Sequence, residues 1–127
     1  MRTSSETKPE AREERPSFPQ TGGLAGWQKR LVEAAARERL AELTVGKLAD
    51  EVRLSRYWFS RAFRSSYGIP PAEWLQDRRL REAERRLRVT DDTVERIALD
   101  VGYRSGSQLA RMFRRRMGAS PSVWRRR

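Results

Sequence analysis

The sequence contains no cysteine and no histidine. Their absence excludes disulfides, zinc sites built from Cys and His ligands, and nucleophilic catalysis that depends on a Cys or a His base. The sequence also has no Gly-rich phosphate loop, no apolar run of about 18 residues that could span a membrane, and no apolar segment typical of a signal peptide. These absences predict a cytoplasmic protein that is not an enzyme, does not contact a membrane, and uses no metal or cofactor.

Lysine is scarce as well. Of the 28 basic residues only Lys8, Lys29 and Lys47 are lysines, and the others are arginines. The formal net charge is +11 at pH 7, and all of the excess lies beyond residue 24, because acidic and basic residues balance before it. A strongly basic, arginine-rich chain is typical of nucleic-acid binding, since the guanidinium group pairs with phosphate oxygens and with guanine edges.

The sequence contains an internal repeat. A first block recurs 49 residues later and a second block, after one extra residue in the turn, recurs 50 residues later. The first pair of blocks is Leu48-Ala49-x-x-Val52-x-Leu54 and Ile97-Ala98-x-x-Val101-x-Tyr103, and the second is Phe59-x-Arg61-x-Phe63-Arg64 and Leu109-x-Arg111-x-Phe113-Arg114. Each copy has the pattern of a short helix, a tight turn and a second helix. A repeated unit of this size indicates one supersecondary element used twice.

Hydrophobic periodicity predicts an all-α fold of seven helices, with two helix-turn-helix subdomains joined by a long connecting helix. The polar segment 1–23 is expected to be a disordered tail, because it has too few apolar residues to form a core. Residues 24–127 are expected to form a DNA-binding domain. Its first helix-turn-helix unit covers about 44–67, its connecting helix about 71–88, and its second unit about 93–117.

Local signals place the ends of several helices. Ser55 and Thr93 can cap helix N-termini with their hydroxyl oxygens. Gly68 and Gly118 suit the left-handed residue that follows a helix C-terminus. Trp27 falls within a helical pattern of apolar residues, and we expect it to lie in the core.

The second helix of each unit is predicted to present arginines to solvent. On a helical wheel the aromatic and aliphatic residues Phe59, Phe63, Leu109 and Phe113 point inward. The opposite faces carry Tyr57, Ser60, Arg61 and Arg64 in one unit, and Ser107, Ala110, Arg111 and Arg114 in the other. A helix with exposed arginines and small polar groups fits the DNA major groove, where Arg reads guanine. Any solvated helix face also carries charge, but matched arginines on two equivalent helices favour DNA recognition.

The length of the connecting helix is compatible with joint binding by the two units. A helix over 71–88 is about 27 Å long. Two recognition helices in successive major-groove segments lie about 34 Å apart. A connecting helix of that length, together with the width of the two units, could place both recognition helices on one face of the DNA.

The sequence from about residue 26 to residue 127 resembles the AraC/XylS family of bacterial transcription regulators. The motif that carries the resemblance is Ile97-Ala98-x-x-x-Gly102-Tyr103-x-Ser105-x-x-x-Leu109-x-Arg111-x-Phe113-Arg114-x-x-x-Gly118-x-x-Pro121-x-x-Trp124-Arg125. The resemblance implies a seven-helix DNA-binding domain that inserts both recognition helices into adjacent major-groove segments and recruits or blocks RNA polymerase. Since family members usually carry a further effector or dimerisation domain, this chain resembles the minimal, stand-alone type.

The resemblance also implies roles for individual residues. The base-contacting candidates are Arg56, Tyr57, Ser60 and Arg61 in the first unit, and Gly106, Ser107, Gln108 and Arg111 in the second. Phosphate contacts are expected from Arg64 and Arg114. The sequence departs from the family at Leu109, where Phe is more usual, and at Trp124, where Tyr is commoner. Gly106 and Ser107 stand where some members carry larger polar residues, so the second unit is expected to rely more on phosphate contacts.

The expected partners are double-stranded DNA and RNA polymerase, and the protein is expected to be a monomer associated with the nucleoid. One alternative is an interaction protein that keeps the helix-turn-helix fold but acts through another regulator or RNA polymerase. Another is non-specific binding of DNA or RNA through charge alone, which would depend steeply on salt.

Overall fold

The computed structural model describes residues 22–127. In this range the chain forms seven α-helices, one 3-10 turn and no β-strand, which confirms the predicted all-α fold. The elements are α1 (Gly26–Glu38), the 3-10 turn (Leu40–Glu42), α2 (Val45–Glu51), α3 (Arg56–Tyr67), α4 (Pro71–Val89), α5 (Val94–Val101), α6 (Gly106–Met117) and α7 (Pro121–Arg126). The tail predicted over 1–23 lies outside the described residues except for Gly22 and Gly23, and Gly23 is buried.

The helix caps repeat along with the sequence. The Ser55 hydroxyl accepts a hydrogen bond from the backbone N–H of Trp58 at 3.2 Å, and the Ser105 hydroxyl accepts from Gln108 N–H at 3.1 Å. Helices α3 and α6 both end at a glycine with a φ of 83°. Glycine adopts this left-handed conformation without the steric penalty that a Cβ brings. The predicted caps are therefore confirmed, including Thr93, which accepts from Arg96 N–H at 3.0 Å.

The chain divides into two compact units. The first comprises the described chain up to Val32 together with Val45–Pro71, and the second comprises Glu33–Thr44 and Ala72–Arg127. Helix α1 therefore contributes to both units. From Ala72 onward, α4, the predicted connecting helix, belongs to the second unit.

The core of the first unit includes residues of α2, of the turn that follows it, and of α3. Leu48, Val52, Phe59 and Phe63 are fully buried, and the rings of Phe59 and Phe63 lie 5.6 Å apart between centroids. Tyr67 stacks on Phe63 with a centroid distance of 4.2 Å. These contacts fix the inward face of α3, so the opposite face is turned to solvent.

One buried polar residue, Gln28, links α1 to the end of α2 within the first unit. Its Oε1 accepts from Ala25 N–H at 2.8 Å, and its Nε2 donates to the Val52 carbonyl at 3.1 Å. Both ends of the buried amide thus have a hydrogen-bond partner, as burial requires. The prediction that Trp27 lies in the core is wrong, because Gln28 points inward and Trp27 is 45% exposed.

The core of the second unit gathers residues from α4, α5 and α6. Helix α4 contributes Leu80, Ala83 and Leu87. The buried partners from the other elements are Ile97, Ala98, Val101, Tyr103, Leu109 and Phe113. Because α4 supplies a third of this core, it is a structural part of the second unit.

The turn between the two helices of each unit uses a left-handed residue. Arg53 has a φ of 64° in the first unit, and Gly102 has a φ of 113° at the corresponding position of the second. The next backbone N–H then bonds back in the same way, from Leu54 to Ala49 O at 3.0 Å and from Tyr103 to Ala98 O at 2.8 Å. The two turns thus share one backbone geometry with two different residue types.

Replacing Arg53 with glycine should stabilise the protein. An L-residue in the left-handed region costs about 1–2 kcal/mol, whereas glycine loses about 0.5–1 kcal/mol more conformational entropy on folding. We expect Arg53→Gly to raise the free energy of unfolding by about 0.5–1 kcal/mol, measured by chemical denaturation. Arg53→Ala is the control, since it removes the side chain but keeps the Cβ and should give no gain. An equal gain in both variants would contradict the strain argument.

Candidate nucleic-acid interface

The outer face of α3 carries the predicted contact residues of the first unit. Arg56, Tyr57, Arg61 and Arg64 are exposed, and Ser60 is partly exposed. Phe59 lies on the opposite, buried side. Helix α3 thus presents its predicted base-contacting and phosphate-contacting side chains to solvent.

Tyr57 and Arg61 lie side by side on this face. Tyr57 is 62% exposed, and the Arg61 guanidinium carbon is 5.7 Å from the centroid of its ring. The ring of Trp58 meets Tyr57 edge to face at 5.1 Å. A cation over an aromatic face is attracted to it, so Tyr57 helps to hold Arg61 in an outward orientation.

Helix α6 carries the corresponding residues of the second unit. Ser107, Arg111 and Arg114 are exposed, whereas Gly106 and Gln108 are partly exposed. Leu109 and Phe113 are fully buried on the opposite side. The arginines at 61 and 64 thus have exposed counterparts at 111 and 114, as the repeat predicts.

Gln108 has a structural contact that sequence reasoning did not predict. Its Oε1 accepts from Arg104 N–H at 2.7 Å, while its own N–H donates to the Ser105 hydroxyl at 3.1 Å. These two bonds satisfy backbone donors at the start of α6. The Gln108 oxygen therefore helps to cap α6.

A second contact missed from the sequence involves Glu95 on α5. Its Oε1 accepts from Gly106 N–H at 2.8 Å, so a carboxylate lies at the first residue of α6. The repeat offered one signal for this contact, because Gly106 stands where the first unit has Arg56. That difference leaves room for another side chain at the start of the helix.

The charges of the second unit are paired mainly away from its recognition helix. Arg86 on α4 donates to Asp92 at 2.7 Å and to Asp100 at 2.9 Å. These hydrogen bonds raise the pKa of Arg86, and the bond from Arg86 holds the pKa of Asp92 below its usual value. By contrast, neither α3 nor α6 contains an acidic residue. Their arginines therefore make both recognition helices strongly positive, which favours binding to a polyanion.

Residues 22–127 contain neither a cluster of metal ligands nor a helix that could span a membrane. This part of the chain has no group of three or more His, Cys, Asp or Glu residues placed to hold a metal ion. None of its helices has both the length and the apolar character needed to cross a bilayer.

Two helix-turn-helix units with matched basic recognition helices define a protein of the helix-turn-helix class. Consistent with this class, a family profile described as "Helix-turn-helix domain" matches residues 48–127. The chain is 34% identical over 117 residues to a putative AraC-like transcription regulator of Streptomyces lividans, covering 89% of this chain and 38% of that protein. It is 28% identical over 110 residues to the HTH-type transcriptional regulator MtrA of Neisseria gonorrhoeae, covering 84% of this chain and 36% of that protein.

A solved structure shares both the fold and the sequence pattern. The DNA-binding domain of the global transcriptional factor AdpA, solved in complex with a target DNA, superposes with a TM-score of 0.73 at 34% identity. The match covers 78% of this chain and 89% of that domain. The chain belongs to the AraC-type helix-turn-helix family, whose members are transcription regulators rather than enzymes. It spans well under half the length of the two full-length relatives, 36% of one and 38% of the other.

Proposed function

We propose that this chain is a sequence-specific DNA-binding transcription regulator that inserts α3 and α6 into successive major-groove segments of a promoter. The observation that carries the proposal is the repeated recognition helix. Arg61 and Arg111, like Arg64 and Arg114, occupy equivalent exposed positions on two helices with the same caps and the same buried face. Family membership favours this function over that of an interaction protein that merely keeps the fold.

The contact residues divide into two groups. Base contacts are assigned to Arg56, Tyr57, Ser60 and Arg61 on α3, and to Ser107, Gln108 and Arg111 on α6. Gly106 has no side chain and its N–H already donates to Glu95, so any contact it makes comes from close backbone approach. Phosphate contacts are assigned to Arg64 and Arg114, which position the protein without reading sequence.

The proposed partners follow from this activity. A promoter-bound regulator acts by recruiting or blocking RNA polymerase, and we place the protein in the cytoplasm at the nucleoid. We propose that it binds as a monomer, since its two recognition helices supply the two contacts that many helix-turn-helix proteins obtain by dimerising.

The experiment is selection from a random duplex library at about 150 mM salt, near physiological ionic strength, followed by sequencing. We expect an asymmetric motif with two information-rich blocks, one for each recognition helix. Arg85→Ala is the matched control, because it removes an arginine paired with Glu82 on α4 and should leave the motif unchanged. Binding without any enriched sequence would contradict the proposal and indicate contacts through charge alone.

A further inference from the structure

The two recognition helices differ in the charged side chain that lies at their N-terminus. In the first unit, Gly46 on α2 corresponds by the repeat to Glu95 on α5, and Arg56 at the start of α3 corresponds to Gly106 at the start of α6. The first unit therefore combines glycine with an exposed arginine, and the second combines an exposed glutamate with glycine. The start of one helix carries a cation, and the start of the other carries an anion.

The absence of a side chain at Gly106 is what lets the glutamate occupy its place. The Gly106 N–H donates to Glu95 Oε1 at 2.8 Å. A Cβ on residue 106 would lie 2.9 Å from that oxygen and 3.3 Å from the Glu95 Cα. Since one of these neighbours is backbone, a larger residue at 106 would have to displace the carboxylate or shift α5.

The carboxylate is also stabilised by its position. A negative charge at a helix N-terminus interacts favourably with the helix dipole and with its free N–H groups. The bond to Gly106 uses one oxygen of the group, and Glu95 as a whole remains exposed. Gly106, to which it bonds, directly precedes Ser107 and Gln108, which are assigned above to base contact.

We propose that Glu95 is a specificity-determining residue of the second unit and that it selects cytosine at one position of the DNA site. In the major groove cytosine presents the N4 amino group, a donor that a carboxylate can accept, whereas guanine presents only the acceptors N7 and O6. A fixed carboxylate therefore favours cytosine and opposes guanine at the base that it faces. The inference rests on the proposed DNA-binding function, and it reverses the base preference expected from an arginine at the same place.

The first test repeats the library selection with Glu95→Gln. The glutamine keeps an oxygen that can accept from Gly106, so a purely structural role for Glu95 predicts an unchanged motif. We expect instead that the preference for cytosine at one position of the second block falls about fivefold or more, while the first block is unchanged. The block that loses its signal in Arg111→Ala identifies which block belongs to the second unit.

The second test rebuilds the first-unit pair in the second unit. The double variant Glu95→Gly with Gly106→Arg should move the preference at the same position from cytosine to guanine. An unchanged second block in both variants would overturn the inference but leave the proposed function intact. A wild-type motif with the first block only would overturn both the inference and the base contacts assigned to α6, but not sequence-specific binding by α3. A wild-type chain that enriches no sequence would overturn both the inference and the proposed function. Circular dichroism of each variant checks that the helices are retained.

Discussion

Replacing Gly102 with alanine should lower the free energy of unfolding by about 3 kcal/mol, through two separate penalties. The residue has a φ of 113°, a backbone conformation that residues with a side chain rarely adopt. A Cβ would also lie 2.6 Å from Arg79 Nε and 3.2 Å from the Ala41 carbonyl oxygen. Neither neighbour can move freely, because Arg79 Nη2 donates to the carbonyls of Leu40 and Leu43 at 3.2 and 2.7 Å.

Burial of the Arg79 guanidinium adds to the destabilisation expected from Gly102→Ala. It lowers the pKa of the Arg79 guanidinium, although nearby Tyr103 acts in the opposite direction. The hydrogen bonds to the two carbonyls compensate for part of the desolvation of that charge. A Cβ at residue 102 that displaced the guanidinium would weaken these bonds and leave the carbonyls of the 3-10 turn less well satisfied.

Gly118→Ala is the matched control for this prediction. Gly118 also has a positive φ, 83°, but among the described residues no atom beyond its two chain neighbours lies within 4 Å of the position of its Cβ. Its substitution should therefore cost only the backbone strain of about 1–2 kcal/mol. Chemical denaturation of both variants measures the difference. If the two variants were destabilised equally, the packing of Arg79 against Gly102 would be unimportant.

Removing both Arg61 and Arg111 should abolish most of the sequence preference. Each arginine assigned to a base is expected to contribute about 1–3 kcal/mol, so the double alanine variant should bind the preferred duplex about 2–6 kcal/mol less favourably. Binding to unrelated sequences should change far less. Competition titrations with the preferred and a scrambled duplex separate these two affinities.

The comparison variant removes Arg64 and Arg114 instead, so the change in net charge is the same. Because phosphate contacts do not read sequence, this double variant should weaken binding to both duplexes alike. It should also lower the slope of log affinity against log salt by about two, since each of the two arginines neutralises one phosphate. Identical behaviour of the two double variants would show that the division into base-contacting and phosphate-contacting residues is wrong.

The repeat and the caps were predictable because they depend on local chemistry. Ser55, Thr93, Gly68 and Gly118 act within one turn of their own helix, so their types and spacing are enough to place them. The exposed face of α3 and α6 followed from the same local periodicity, since Phe63 and its counterpart Phe113 had to point inward. That these faces contact DNA stays a prediction.

Two of the features that the sequence did not predict depend on contacts between different elements of the fold. Gln28 bonds to Val52, and its neighbour Trp27 is exposed although its type favours burial. Glu95 reaches Gly106 from another helix. The periodicity of apolar residues predicts which residues lie in the core. It does not predict which polar side chain will form a hydrogen bond to another element. Such pairs depend on the packing of one helix against another.

The buried amide of Gln28 limits how the first recognition unit could be transplanted. A graft that carried only α2, the turn and α3 into another protein would leave the Val52 carbonyl without the donor it has here. It would also remove Leu24, whose N–H donates to the Ser66 hydroxyl at 2.8 Å near the end of α3. A graft of the first unit that keeps these hydrogen bonds therefore needs more than the helix-turn-helix itself. It includes the segment from Leu24 to Val32, which bonds to the turn of the motif at Val52 and to the end of α3 at Ser66 without belonging to the motif.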